Sequence, residues 1–220
     1  MKLAKASGTL GLAALTAIAS PFAAAQDSGW YGGLNIGQST AKIDDARITS
    51  SLLGGGFPAP TSITDDDRDT GYKLFGGYKF NRNFALEGGY FDLGKFGFAA
   101  TTVPAGILSG NIRLRGLNLD AVGILPIAET FSAFGRIGFN HAEARDSFAG
   151  TGAVNVLNPS PSKRDTNYKF GLGVQYDFSQ SLGMRAEAER YRINDAVGNK
   201  GDVDLVSVGL VYRFGGKTSR

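Results

Sequence analysis

From Tyr168 to Phe178 the chain alternates without a break: Tyr168, Phe170, Leu172, Val174, Tyr176 and Phe178 point one way, and Lys169, Gly171, Gly173, Gln175 and Asp177 the other. Side chains on a strand have a period of two, so this segment has one continuous apolar face and one polar or bare face. An apolar face about ten residues long with rings at both ends matches a strand crossing lipid. Within a bilayer core, such strands satisfy their backbone groups only by closing into a barrel.

The start of the chain predicts export. Lys2 and Lys5 precede a short apolar stretch from Leu10 to Ala19, followed by Pro21 and Ala23-Ala24-Ala25. A basic start, an apolar core too short to span and an Ala-x-Ala site read as a signal peptide over 1–25, cut between Ala25 and Gln26. The domain expected after it is a barrel over 26–220. The chain has no cysteine, which excludes lipoprotein processing and a small disulfide-stapled fold.

Charge and composition narrow the class further. Of 23 Lys and Arg against 20 Asp and Glu, two lysines lie in the leader, leaving a mature net charge of +1 and no electrostatic reason to expect a nucleic-acid partner. The 32 glycines, roughly twice the usual share, follow no collagen period. Beyond the leader the most apolar run, Ala121 to Ala128, is interrupted by Pro126 and is far too short for a spanning helix.

Eight alternating segments can be read, at about 30–40, 70–80, 84–95, 111–125, 131–145, 165–178, 183–193 and 202–214. Long connections at 41–69, 96–110, 146–164 and 194–201 alternate with short ones at 81–83, 126–130 and 179–182. Short periplasmic turns and long outer loops characterise an outer-membrane barrel, so the expected fold is all-β, an eight-stranded antiparallel up-and-down transmembrane β-barrel. With that topology, Trp30, Tyr31, Tyr78, Phe80, Phe84, Phe131, Tyr176, Phe178, Tyr212 and Phe214 form a periplasmic aromatic girdle. Tyr72, Tyr90, Phe139 and Tyr168 form an outer one.

The alternation also sorts the charges. Asn35, Lys73, Lys79, Glu87, Asn118, Asp120, Arg136, Gln175, Arg185, Glu187, Ser207 and Arg213 face inward. The lumen of eight strands is just wide enough for side chains to fill. Ions buried there without partners are costly, so a paired lumen network of Glu87, Asp120, Arg136, Arg185 and Glu187, at similar heights, is expected.

The segments WYGGLNIG at Trp30, GYKLFGGYKFNRNFALEGGYFDLG from Gly71, LDAVGILPI from Leu119, YKFGLGVQYDF from Tyr168 and SVGLVYRFG ending at Gly215 carry a resemblance. The chain resembles the transmembrane domain of the outer membrane protein A family and its small-barrel OmpX and OmpW types, over nearly all of the mature sequence. The resemblance implies that Glu87 on the third strand and Arg185 on the seventh belong to a central salt-bridge gate. Two gate positions depart: the family's lysine on the fourth strand aligns with Val122 and its glutamate on the sixth with Gln175. The family's full-length members continue into a peptidoglycan-binding domain, whereas this sequence stops six residues after Phe214, so no such domain is expected in it. Tyr212 and Phe214 resemble the terminal aromatic signal read by the barrel-assembly machinery, an alternative to a purely girdle role.

Weaker candidates remain. Asp65, Asp66, Asp67 and Asp69 bracket Arg68 in a pattern that suits either a hard cation or, more simply, a solvated loop. Arg113 and Arg115 face outward at the outer end of the fourth strand, within reach of a lipopolysaccharide phosphate or of a loop carboxylate. His141 is the only histidine, it lacks a same-face serine neighbour and no Gly-x-Ser-x-Gly elbow exists, so neither a metal centre nor a catalytic triad is expected. Gly171 and Gly173 lie inside a strand and suggest no nucleotide cofactor. The expected function is therefore an integral outer-membrane barrel with an envelope role, surface loops and outer-membrane lipid and lipopolysaccharide as surroundings. A narrow channel, motivated by a continuous polar interior, and a loop-mediated adhesin are the alternatives.

Overall fold

The computed structural model describes residues 28–214 apart from 57–59, 104–105, 153, 155, 157 and 195–199. The expected signal peptide, its expected Ala25–Gln26 junction and Gly215 lie outside the described residues. In chain order the elements are β1 (Gly29–Ala41), α1 (Asp45–Gly54), β2 (Ser62–Asp66), β3 (Arg68–Asn81), β4 (Phe84–Thr102) and β5 (Gly106–Pro126). They continue as β6 (Phe131–Gly152), β7 (Ser162–Asp177), β8 (Leu182–Asn194) and β9 (Lys200–Arg213).

All strand pairs are antiparallel, and the eight long strands form a ring because β1 pairs with both β3 and β9. Leu34 lies opposite Leu74 on one side and Leu210 on the other. The expected eight-stranded barrel is borne out, with β2 added as a short ninth strand on the outer half of β4. Its periplasmic turns are held locally. Asn81 Oδ1 accepts from the amides of Asn83 (2.8 Å) and Phe84 (3.0 Å), and Ser179 Oγ accepts from that of Leu182 (3.0 Å).

Three expectations about the outer half need correction. The 96–110 connection is almost entirely strand, paired from Asp92 with Arg115 up to Thr102 with Gly106. A bulge between Asp92 and Gly94 shifts the phase of alternation by one, so Phe91, Leu93 and Phe96 all turn inward. Gly94 sits there at φ +83, a conformation that a side chain resists, and its amide donates to Asp92 Oδ1 (2.9 Å). Similarly, β6 and β7 consume much of the 146–164 connection, reaching Gly152 and starting at Ser162. The 41–69 connection is also structured. Ile48 and Leu52, four apart on α1, pack with Ala100 of β4, where β2 also docks.

The barrel is apolar outside and layered inside. Large hydrophobics such as Leu172 (68% exposed) and Ile137 (67%) stand fully on the outer face, which suits lipid as solvent. Inside, Tyr31, Phe75, Ala85, Val122, Phe134 and Val211 form a cluster near the periplasmic end. A larger one near the outer end contains Phe91, Leu93, Phe96, Leu114, Tyr191 and Leu205. The interior is therefore not continuously polar, contrary to the sequence reading. Gly77 helps to make room: a Cβ there would lie 2.7 Å from Cζ of Tyr31.

Leu172→Arg places a charge in the middle of the lipid face. It should destabilise the barrel by about 2–4 kcal/mol in denaturant unfolding from phospholipid vesicles, and an unchanged midpoint would show that this face does not meet lipid.

Candidate functional site

Between the two apolar clusters lies a layer of eight ionisable side chains. Lys73 comes from β3, Glu87 from β4, Asp120 from β5, Arg136 from β6, Lys169 from β7, and Arg185, Glu187 and Glu189 from β8. Each reaches the lumen because it occupies an inward position of its strand. The cross-strand register places Glu87 beside Asp120, and Arg136 beside Gly171, which is itself opposite Glu189.

The pairing is dense. Arg136 contacts Glu187 (2.6 Å), Glu87 (3.0 Å) and Glu189 (3.3 Å), with Asp120 at 3.7 Å. Lys73 bridges Glu189 (2.9 Å) and Glu187 (3.0 Å), while Lys169 bridges Glu189 (2.6 Å) and Asp120 (2.8 Å). Arg185 closes on Glu87 at 2.8 Å. Four cations thus meet four carboxylates, and the layer carries no net charge.

Neutral groups satisfy further lone pairs. Tyr31 Oη donates to Glu87 (2.8 Å), Tyr191 Oη to Glu189 (3.0 Å), Asn118 Nδ2 to Asp120 (2.8 Å) and Asn35 Nδ2 to Glu187 (2.5 Å). Aromatic faces cover the cations from both sides. The Arg185 guanidinium lies 4.6 Å from the Phe134 ring and 4.8 Å from that of Phe75, and Lys169 Nζ sits 4.7 Å from the Tyr191 ring.

The five charges singled out in the sequence, Glu87, Asp120, Arg136, Arg185 and Glu187, all lie in this layer. The sequence reading missed Glu189, Lys73 and Lys169 as members. The signal was present, since Glu189 shares the inward face of Arg185 and Glu187, and Lys169 that of Gly171 and Gly173. Their level, however, depends on register and on lysine reach. Gln175 receives hydrogen bonds from Arg185 (3.1 and 3.3 Å), and Val122 joins the periplasmic apolar cluster. The two departures from the family's gate therefore fall outside the charge pairs.

Of the girdle residues, Trp30, Phe80, Phe84, Tyr176, Phe178, Tyr212 and Phe214 are exposed, while Tyr78 and Phe131 are half-buried. Neighbouring rings meet edge to face, with Trp30–Tyr78 centroids 5.1 Å apart and Tyr212–Phe214 5.2 Å. Tyr31 is a correction, because the alternation that sends Trp30 outward sends Tyr31 into the lumen. In the first loop, burial and the neighbouring Asp45 charge push the Asp65 carboxyl up from its ordinary value. No group of three metal-ligating side chains forms among the described residues. His141 faces outward, its Nδ1 2.9 Å from Thr166 Oγ1.

Cavities of about 290 Å³ at the outer end, against Ile48, Phe96 and Ile112, and about 220 Å³ at the periplasmic end, against Arg185 and Arg213, flank the layer. Between them Lys73, Lys169 and Glu87 are sealed from solvent. With Tyr31 and Asn35 of β1, the layer ties seven strands together through their side chains.

Removing the most connected cation should be the most damaging change. Arg136→Met removes contacts to four carboxylates at once, leaving Glu87 only Arg185 and Glu187 only Lys73 as cationic partners in a layer that is then net negative, and is expected to cost about 3–5 kcal/mol. Arg185→Ala should cost less, because Glu87 keeps Arg136. Denaturant unfolding of the two variants in one lipid decides the order, and equal midpoints for both would contradict this connectivity.

Comparison with known proteins agrees with the geometry. The family model for the outer membrane protein β-barrel domain matches residues 10–214. Outer membrane protein A of Klebsiella pneumoniae is 29% identical over 200 residues, covering 88% of this chain and 53% of that protein. The Escherichia fergusonii protein of the same name is 29% identical over 203 residues, covering 88% and 50%. The chain thus spans about half the length of the curated relatives it matches. The crystal structure of Neisserial surface protein A superposes with a TM-score of 0.55 at 11% identity, covering 85% of this chain and 99% of that one, a likeness of fold. The chain belongs to the outer membrane protein β-barrel domain family.

Proposed function

We propose that this barrel is a non-conducting, non-enzymatic element of the bacterial outer membrane that contributes to envelope integrity and holds its outer hairpins above the lipid. The observation that carries this reading is the neutral charge layer sealed between two apolar clusters. An ion entering it would have to shed its water and displace a paired counter-charge, at a cost that a continuous polar lumen does not impose. Export by a signal peptide cut between Ala25 and Gln26, and folding by the barrel-assembly machinery through the Tyr212 and Phe214 end, complete the proposal.

Planar-bilayer recording tests it. The full mature chain, shown to be folded by its heat-modifiable gel shift, should leave the bilayer silent; stepwise conductance from the folded form would overturn the non-conducting reading. Mass spectrometry of protein recovered from outer membranes should place the first residue at Gln26.

A second reading, a binding surface on the outer side, is favoured by the extension of β4, β5 and β6 well past the outer rings. Shortening the β6–β7 hairpin should leave the gel shift intact and abolish attachment of expressing cells to whichever surface the intact protein binds. Unaltered attachment would remove that hairpin from the reading.

A further inference from the structure

On the outer face of β5, β6 and β7, rows of outward residues can be read upward from the aromatic ring. Leu119, Phe139 and Tyr168 stand side by side, then Leu117, His141 and Thr166, then Arg115, Glu143 and Arg164, and finally Arg113 beside Arg145. Two residues of a tilted strand climb roughly 5 Å, so the arginine rows lie about 10 Å and more above the rings. The rings themselves mark the interface, so the arginine rows lie outside the hydrocarbon, from the headgroup level outward.

The charges in these rows are unequal. Glu143 alone accepts from three guanidinium groups: Arg115 (3.0 and 3.1 Å), Arg164 (2.9 and 3.2 Å) and Arg145 (3.2 Å). Arg113 donates to Asp92 at 2.7 Å. Four arginines against two carboxylates leave a surplus of two positive charges. Glu143 lies beneath the fan with its side chain 14% exposed, whereas those of Arg145 and Arg164 are 55% and 67% exposed. With three guanidiniums donating to it, Glu143 is the anchor of the fan. A guanidinium has five donors, and the contacts to Glu143 occupy only some of them. The rim on β8 and β9 is different. Arg190 makes a bidentate pair with Asp204 (2.6 and 2.7 Å) and Arg192 pairs with Asp202 (2.9 Å), one acid for each base.

We infer that the fan of Arg113, Arg115, Arg145 and Arg164 is a binding site for the phosphate groups of a phosphorylated glycolipid of the outer leaflet, the lipid A portion of lipopolysaccharide. A lipid phosphate arrives at this height with its acyl chains against Leu117, Leu119 and Phe139. The free edges of two or more guanidiniums then hold it in the geometry that arginine offers phosphate. The inference rests on the outer-membrane placement of the barrel and names the lipid contact that this placement makes.

The test uses the full mature chain in phosphatidylcholine nanodiscs, titrated with bis-phosphorylated lipid A and with its dephosphorylated counterpart, with retention read by native mass spectrometry. The wild type should retain the phosphorylated lipid at least about tenfold better, and Arg113→Gln/Arg115→Gln/Arg164→Gln should lose that preference, in keeping with charge-assisted hydrogen bonds to phosphate. Arg190→Gln, on the neutral rim, should behave as wild type. Each single arginine variant should lose roughly threefold, which keeps the test available should the triple variant not fold. Equal retention of the two lipids, or a folded triple variant with wild-type retention, overturns the site. Displacement of the lipid by excess inorganic phosphate overturns the lipid assignment in favour of a free anion. The gel shift in plain phosphatidylcholine reports the barrel itself, so its failure is distinguishable from failure of the site.

Discussion

Lipid offers no hydrogen bonds to a backbone, and the remainder of this molecule follows from that constraint. A sheet of eight strands with open edges would leave two rows of amides and carbonyls in hydrocarbon. Strand β1 prevents this by pairing with β3 along one edge and β9 along the other. Closure with eight strands then determines the bore, and the bore is too narrow for anything but side chains. The outer face becomes apolar by exposure to lipid, and the inner face becomes a core that must be packed from both ends.

What fills that core is a compromise between apolar packing and charge. Apolar clusters near each rim would suffice as plugs, yet the middle is occupied by Lys73, Arg136, Lys169 and Arg185 with Glu87, Asp120, Glu187 and Glu189. Desolvating eight ions is expensive, and only mutual pairing at close range offsets it. The apolar layers above and below exclude water, which strengthens those pairs and raises the cost of losing any member. Because partners come from different strands, the layer also discriminates between registers. A slip by one residue would turn the charges toward lipid and bring apolar side chains inward.

The membrane-crossing half of each strand was legible because one rule, period two with apolar residues outside, acts on every lipid-spanning segment from the one that begins at Trp30 to the one that ends at Tyr212. Legibility failed where that rule is locally broken or no longer applies. The bulge at Gly94 shifts the phase, so Phe96 looked like the start of a loop although pairing continues to Thr102. Above the lipid there is no solvent-imposed outer face, and the extensions of β4 to β7 follow from neighbour pairing that no single segment displays. Helix α1 contributes only Ile48 and Leu52 as buried anchors, a two-residue signal in a polar connection. The charge layer was half legible. Facing is a property of one strand, and it revealed Glu87, Asp120, Arg136, Arg185 and Glu187. Level is a property of two paired strands, and it was needed to add Lys73, Lys169 and Glu189.

The same residue types obey opposite rules on the two sides of the wall. Inside, every guanidinium and ammonium of the layer is matched by a carboxylate, because a surplus ion in a dry lumen has nothing else to pair with. Outside and above the rings, Arg115, Arg145 and Arg164 share a single Glu143. Headgroups and water can supply the missing charge there, so the surplus carries little penalty. The imbalance therefore reads as depth: strict neutrality marks the sealed interior, and uncompensated arginine marks the level at which the protein expects anions from its surroundings. Since Arg190 and Arg192 on the neighbouring strand β8 are compensated one for one, the surplus also gives the barrel a preferred side toward anionic lipid.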